Sequence, residues 1–265
     1  MKNYRMLIQY EGTRYNGWQR QGNTQNTIQG RLESVLSRLT GAEVQIQGSG
    51  RTDAGVHALG QTANVLLPEG WHISGEALRG SGLPGLDDLP GCEALRRVMN
   101  HYLPEDIDVT ELEEAPERFH SRLSAAGKTY QYRIGIDDYK NIEGRQFRYR
   151  VGRPLDVEAM GEALGALRGT HDFAAFCGNP RMKKSTVRTI SAAELEEVSH
   201  EIRLRITGNG FLQNMVRIIV GTLIEIGLGS RPVSDMKRIL DSRDRSQAGP
   251  AAPAGGLCLL RVYYD

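Results

Sequence analysis

The stretch GSGRTDAGVHALGQ, Gly48 to Gln61, sets one carboxylate, Asp53, among four glycines, with Arg51 two residues before it and His57 four residues after it. Glycine lets a backbone turn into left-handed conformations and approach other groups closely. An aspartate held there either forms a turn or does chemistry. A second charge out of place is Arg217, in the middle of FLQNMVRIIVGTLIEIGLG, a segment apolar on most of its circumference. A guanidinium in such a helix is costly to bury unless it is paired, or it snorkels to the surface. Glu225, eight residues on, lies beyond the short-range pairs of a helix. Asp53, on a loop able to reach inward, is the better candidate partner. Tyr130 alternates with Tyr132 and Ile134, so its pattern alone makes it an aromatic of a strand's core face.

Elements must position these residues. Tyr4, Met6, Ile8 and Tyr10 alternate with polar neighbours as an opening strand. Ile28, Leu32, Val35, Leu36 and Leu39 form one helical face, with Asn26 and Gln29 spaced as a capping box and Gly41 as the stop. Val44 and Ile46 open a strand leading into the aspartate loop, and Thr62–Leu67 forms another. The Gly- and Pro-rich run Ser74–Gly91 predicts an irregular insertion. A helix carrying Leu95, Val98, Met99 and Leu103 ends at Pro104, and the acidic stretch after it holds a short strand.

The second half repeats these types. It has a strand at Lys128–Ile136, a helix with Val157, Met160, Leu164 and Leu167, and strands near Ile190–Val198 and Glu201–Thr207. A long helix over Leu212–Leu228 and a last strand over Leu257–Tyr264 follow. The pattern predicts an α+β fold of antiparallel sheets in two halves, 1–112 and 113–265. Nucleotide-binding glycine signatures and the HExxH zinc motif are absent.

Composition narrows the classes. The 265 residues carry a formal charge of +1, with 39% hydrophobic and 25% charged residues, ordinary for a globular protein. No apolar run reaches the ~18 residues of a membrane span, and the first residues read as a strand rather than a signal peptide. Cys92, Cys177 and Cys258 are widely spaced, and His57, His120 and His171 lack ligand spacing. No metal site or disulfide scaffold is expected, and the cysteines suit a reducing cytoplasm. Base concentrates in RYNGWQRQ, RFHSRLSAAGK, RQFRYRVGR and NPRMKKSTVR, which could give a near-neutral chain one positive face for phosphates. Arg14, Arg20, Lys183 and Lys184 are candidates for that contact. Each stretch could equally be solvated surface.

YEGTRYNGWQRQ, TIQGRLESVLSRLTG, GSGRTDAGVHALGQ, FHSRLSAAGKTYQYRI, GTHDFAAFC, KSTVRTI, GNGFLQNMVRIIVGTLIEIG and APAGGLCL together resemble the tRNA pseudouridine synthase A family, almost end to end and in family order. The resemblance implies the pseudouridine synthase fold, with two sheet-and-helix halves and a catalytic cleft between them. It implies a cytoplasmic homodimeric isomerase that turns uridine into pseudouridine at tRNA positions 38, 39 and 40, without cofactor or metal. Asp53 falls on the family's catalytic aspartate and Arg51 on the arginine that holds the target nucleotide out of the stack. Tyr130 falls on the active-site tyrosine, Arg217 on the aspartate's basic partner, and Leu257 on an apolar residue near the base. A paralogue acting on another RNA, or a noncatalytic RNA-binding protein keeping the fold, would share these motifs. The presence of Asp53, Tyr130 and Arg217 together weighs against the last.

Overall fold

The structure is a computed structural model that describes every residue except Asn23, Asp87, Asn141 and Pro180. The chain divides into two compact units, one of Met1–Ala125 with Arg261–Asp265, the other Ala126–Leu260.

In the first unit, strand β1 (Lys2–Tyr10) is followed by helix α1 (Ile28–Thr40), strands β2 (Ile46–Gly48) and β3 (His57–Leu67), helices α2 (Gly75–Ser81) and α3 (Gly91–Tyr102), and strand β4 (Ile107–Ala115). β1 pairs antiparallel with both β3 and β4, and β2 pairs antiparallel with β3. The alternation read in β1 buries Tyr4, Met6, Ile8 and Tyr10, while α1 buries Ile28, Leu32, Leu36 and Leu39. Val35 is only half-buried. Thr27, not Asn26, caps α1, its hydroxyl accepting from the Gly30 amide at 3.1 Å. Gln29 instead spends its amide on Glu33 and the Ile46 carbonyl. Gly41 ends the helix in the left-handed conformation, as expected.

Two expectations need correction here. β3 begins five residues earlier than its apolar run, because HALGQ pairs with β1 despite its mixed polarity. The Ser74–Gly91 run is not wholly irregular. Ser74 accepts from the Ala77 amide and Gly82 closes α2 with a positive φ, so a seven-residue helix stands among the glycines and prolines.

The second unit contains strands β5 (Ala125–Gly135) and β6 (Tyr149–Arg150), helix α4 (Val157–Gly165), and strands β7 (Gly169–Asp172), β8 (Val187–Val198) and β9 (Glu201–Gly208). Helices α5 (Met215–Gly227) and α6 (Asp235–Ser242) follow. β9 pairs antiparallel with β5 and β8, and β8 with β7, while β6 adds a parallel pair to β5. A last strand, β10 (Leu257–Tyr264), starts in this unit and ends in the first. The strand pairs named above are antiparallel apart from β5 with β6, and together with the helices they make the fold α+β. α5 starts at Met215 rather than Leu212 because Asn214 has a φ of 57°, which no right-handed helix continues through.

Candidate active site

The aspartate loop occupies residues 49–56, between β2 and β3. The Val56 amide donates to the Asp53 carbonyl at 3.1 Å, closing a four-residue turn. Gly55 has a φ of 79° and Ala54 no positive φ. A positive φ at the third position alone is the type II pattern, which favours glycine there. Asp53 therefore helps form this turn through its backbone carbonyl. It is half-exposed, between an exposed Arg51 and a buried Val56.

Much of what holds this turn lies 34 to 45 residues upstream of its partner in the loop. The Trp18 amide donates to the Thr52 carbonyl at 3.1 Å, and the Thr52 hydroxyl shares a 2.8 Å hydrogen bond with Tyr10. The Gly12 amide donates to Nδ1 of buried His57 at 3.0 Å. His57 is thus a satisfied core histidine whose Nδ1 accepts. Ser49 hydrogen-bonds Gln61, which also holds the Gly50 carbonyl. The glycines serve these approaches. A Cβ on Gly12 would lie 2.0 Å from the Val56 oxygen, and one on Gly17 2.7 Å from the Thr52 oxygen. One on Gly48 would strike the Trp18 ring at 2.5 Å, so Gly48 makes room for protein rather than for a ligand.

In the second unit, β5 carries Tyr130 and Tyr132 on one buried face. The Tyr130 ring meets Phe211 edge to face at 5.1 Å. Arg217, half-buried on α5, donates from Nε to the Ala252 carbonyl at 2.7 Å and from Nη1 to Asn214 Oδ1 at 2.9 Å. Glu225 instead pairs with Arg231 at 2.6 Å. The Arg217 carbonyl in turn accepts from the Ala252 amide at 2.9 Å. Residues 249–252 lie so close along α5 that a Cβ on Gly221 would sit 1.8 Å from the Pro250 oxygen.

The same strap continues to Leu257. The Tyr132 hydroxyl donates to the Pro253 carbonyl at 2.7 Å, and a Cβ on Gly256 would meet the Tyr132 ring at 2.5 Å. Burial drives the Tyr132 phenol well above its ordinary range, and nearby Arg217 only partly opposes this, so its proton stays available to Pro253. Leu257 is buried at the start of β10. One strap therefore joins Arg217, Tyr132 and Leu257. Asn214 and Phe211 carried no separate signal in the sequence, Ala252 only the Gly and Pro content of AGPAAPAGG around it, and Tyr132 only its place in the alternation of its strand.

The four expected phosphate contacts differ among themselves. Arg14 is 72% exposed, with Glu105 at 4.0 Å and Asp106 at 3.9 Å; Arg20 is 69% exposed, with Glu33 at 3.7 Å. Lys183 and Lys184 are exposed. His120 and His171 hydrogen-bond the backbone. Among the described residues, no group of three His, Cys, Asp or Glu could hold a metal ion, and no helix is long and apolar enough to cross a membrane.

Asp53 stands on a hydrogen-bonded turn of the first unit, and Tyr130 and Arg217 stand on a strand and a helix of the second; comparison with known proteins gives the chain its class. The tRNA pseudouridine synthase family model matches residues 6–123 and 163–265. tRNA pseudouridine synthase A of Bacillus sp. strain KSM-64 is 44% identical over 255 residues, 96% of this chain and 97% of that protein. tRNA pseudouridine synthase A 2 of Bacillus anthracis is 42% identical over 264 residues, 100% of both chains. A solved structure, a Cbf5-Nop10-Gar1 complex, aligns with 97% of this chain and 48% of its own, at 11% identity and a TM-score of 0.38. The chain belongs to the tRNA pseudouridine synthase family. It is an RNA-modifying isomerase that converts uridine in tRNA.

Proposed function

We propose that the chain forms pseudouridine at positions 38, 39 and 40 of the tRNA anticodon arm, acting as a homodimer in the cytoplasm, with Asp53 as the catalytic carboxylate. The reaction breaks the glycosidic bond from the sugar to N1, turns the base, and joins the sugar to C5. C5 loses a proton and N1 gains one, so atoms balance with no external reductant or donor. Asp53 acts at the sugar, as a nucleophile or as a counter-charge to its cationic character. The observation that supports this role is its geometry: Asp53 is a half-buried residue on a turn closed by its own backbone carbonyl, in a loop tied to Tyr10 and Trp18 through Thr52.

The target base must leave the stack at a cost of a few kcal/mol. Tyr130 returns about 1–3 kcal/mol by stacking, its edge-to-face contact with Phe211 supports that ring orientation, and its hydroxyl helps remove the C5 proton. Arg51, exposed beside the turn, holds the strand from which the base has left. Arg217 serves as the cationic partner of Asp53, and its bonds to Asn214 and Ala252 support a defined guanidinium orientation. Leu257 gives the base an apolar neighbour. Arg14, Arg20, Lys183 and Lys184 take phosphates; for the two arginines this means exchanging long ion pairs, Arg14 with Glu105 at 4.0 Å and Arg20 with the buried Glu33 at 3.7 Å.

The test is Asp53→Asn on an unmodified tRNA transcript, with pseudouridines mapped by position. The asparagine preserves the turn, so the variant folds and binds tRNA with wild-type affinity but makes no product. Conversion by the variant would return Asp53 to a structural role. Product in the wild type at sites outside 38–40 would refute the position assignment, and a monomeric mass at full activity the dimer.

A further inference from the structure

The connection from β4 to β5 is fastened in a way that its length does not require. Asn3, Asn64 and Ser121 are all buried, at 3%, 5% and 0% exposure. Asn3 donates to the Pro116 and Phe119 carbonyls at 3.1 and 2.7 Å. Asn64 donates to Asn3 at 3.1 Å, and its own oxygen accepts from the Ser121 amide at 2.9 Å. The Ser121 hydroxyl reaches the Gln47 carbonyl, and the Ser121 carbonyl accepts from Tyr264 at 2.7 Å. Burial holds the Tyr264 phenol up at about 12, so it remains a donor. Phe119 packs on the Tyr264 ring at 5.1 Å.

The outer half of the connection is a tight turn. The Ser124 amide donates to the His120 carbonyl at 2.9 Å, and Nδ1 of His120 accepts from the Arg122 and Leu123 amides at 3.1 and 3.4 Å. The turn's inward Ser121 is bonded through amide, hydroxyl and carbonyl. Arg118, Arg122 and Leu123 are exposed, the last at 80%, as are Pro116, Glu117 and Ser124. Neither guanidinium has a carboxylate partner among the described residues. A fully satisfied buried polar network specifies one conformation at the expense of apolar packing. Here it gives that single conformation to two unpaired arginines and an exposed leucine.

We propose that residues 116–124 form a pre-organised clamp for the RNA backbone, an inference that rests on the tRNA reading above. Arg118 and Arg122 each take a phosphate, and Leu123 lies against the apolar face of a ribose or base between them. Guanidinium groups suit this because they bind phosphate oxygens in a bidentate fork. Phosphate contacts made by this turn are additional to those of Arg14, Arg20, Lys183 and Lys184.

The test measures tRNA affinity against salt for the full-length protein, with an unmodified transcript, for wild type, the double variant Arg118→Gln/Arg122→Gln, Arg122→Lys and Leu123→Ser. Two phosphate contacts contribute about 1.4–1.8 to the slope of log affinity against log salt, so between about 50 and 200 mM salt wild type should lose roughly 7- to 12-fold more affinity than the double variant. Arg122→Lys should keep the slope, and Leu123→Ser should weaken binding at an unchanged slope. A double variant with the wild-type slope overturns the proposal, as does a slope lost in Arg122→Lys. Pseudouridine formation by wild type on the same transcript is scored separately. Product with an unchanged slope refutes the clamp alone, whereas no product refutes the substrate reading itself.

Discussion

Gly12→Ala should cripple the reaction although Gly12 carries no chemistry. The new Cβ would stand 2.0 Å from the Val56 carbonyl oxygen, where contacts under 3.0 Å essentially do not occur, so something must move by about 1 Å. The Gly12 side is the better anchored. Tyr10 is paired on both sides, to Ala58 and Ile107, the Glu11 amide holds the Asp106 carbonyl at 2.9 Å, and the Tyr15 amide holds Gly12 at 3.0 Å. The loop therefore yields, and the bond from the Val56 amide to the Asp53 carbonyl carries the shift to the aspartate. A displacement of ~1 Å from a reactive geometry costs roughly 100-fold in rate. Straining the buried bond from Gly12 to His57 adds a stability loss of about 1–3 kcal/mol. Single-turnover conversion of a saturating enzyme excess over tRNA reads the first effect, and denaturant titration the second. Gly161→Ala is the control, since it lies in α4 with nothing within 4 Å of its Cβ, and should stabilise by about 0.5–1 kcal/mol. A Gly12→Ala enzyme with a wild-type single-turnover rate would refute the link between this close approach and the position of Asp53. A wild-type stability would show that the clash is relieved without cost.

Glu201, on β9, should set part of the acid sensitivity of the second unit. Burial alone would raise its pKa, but hydrogen bonds and charge from Arg133 and Arg203 outweigh that and lower it. A carboxyl depressed on folding stabilises above its unfolded pKa and loses that contribution as pH falls through the folded value. Glu201→Gln should thus destabilise at neutral pH and flatten the loss of stability on acidification; a parallel pH–stability curve would contradict the pairing. The β8–β9 hairpin turns through Ser199 and His200 with φ of 47° and 63°, a left-handed pair that suits Asn-Gly. Ser199→Asn/His200→Gly should raise stability by about 1 kcal/mol, read by denaturant titration, and an unchanged midpoint would mean the turn is not strained.

Most elements were legible from periodicity, because a strand or helix that buries one face must repeat its apolar residues at that spacing. β1, α1, α3, β5, β9 and the last strand stand where Tyr4 to Tyr10, Ile28 to Leu39 and their counterparts place them. The glycine loop made Asp53 a candidate, and the charge inside an apolar helix made Arg217 one. Caps and starts were less visible. Thr27 rather than Asn26 caps α1, and the early start of β3 depends on pairing with β1, which no local pattern records.

The tertiary structure alone decided what each unusual residue is near. Asn214 and Ala252 hold Arg217, Gly12 and Gly17 admit the aspartate turn, and Asn3 reaches residues more than a hundred positions away to fasten the connection beyond β4. The composition of the chain restricts which local conformations are possible. It cannot state which distant backbone carbonyl will find itself beside a given amide, because that depends on sheet register and on packing summed over the whole chain. Residue types and spacing therefore determined the chemistry available to this protein, and the fold determined the distances at which that chemistry is held.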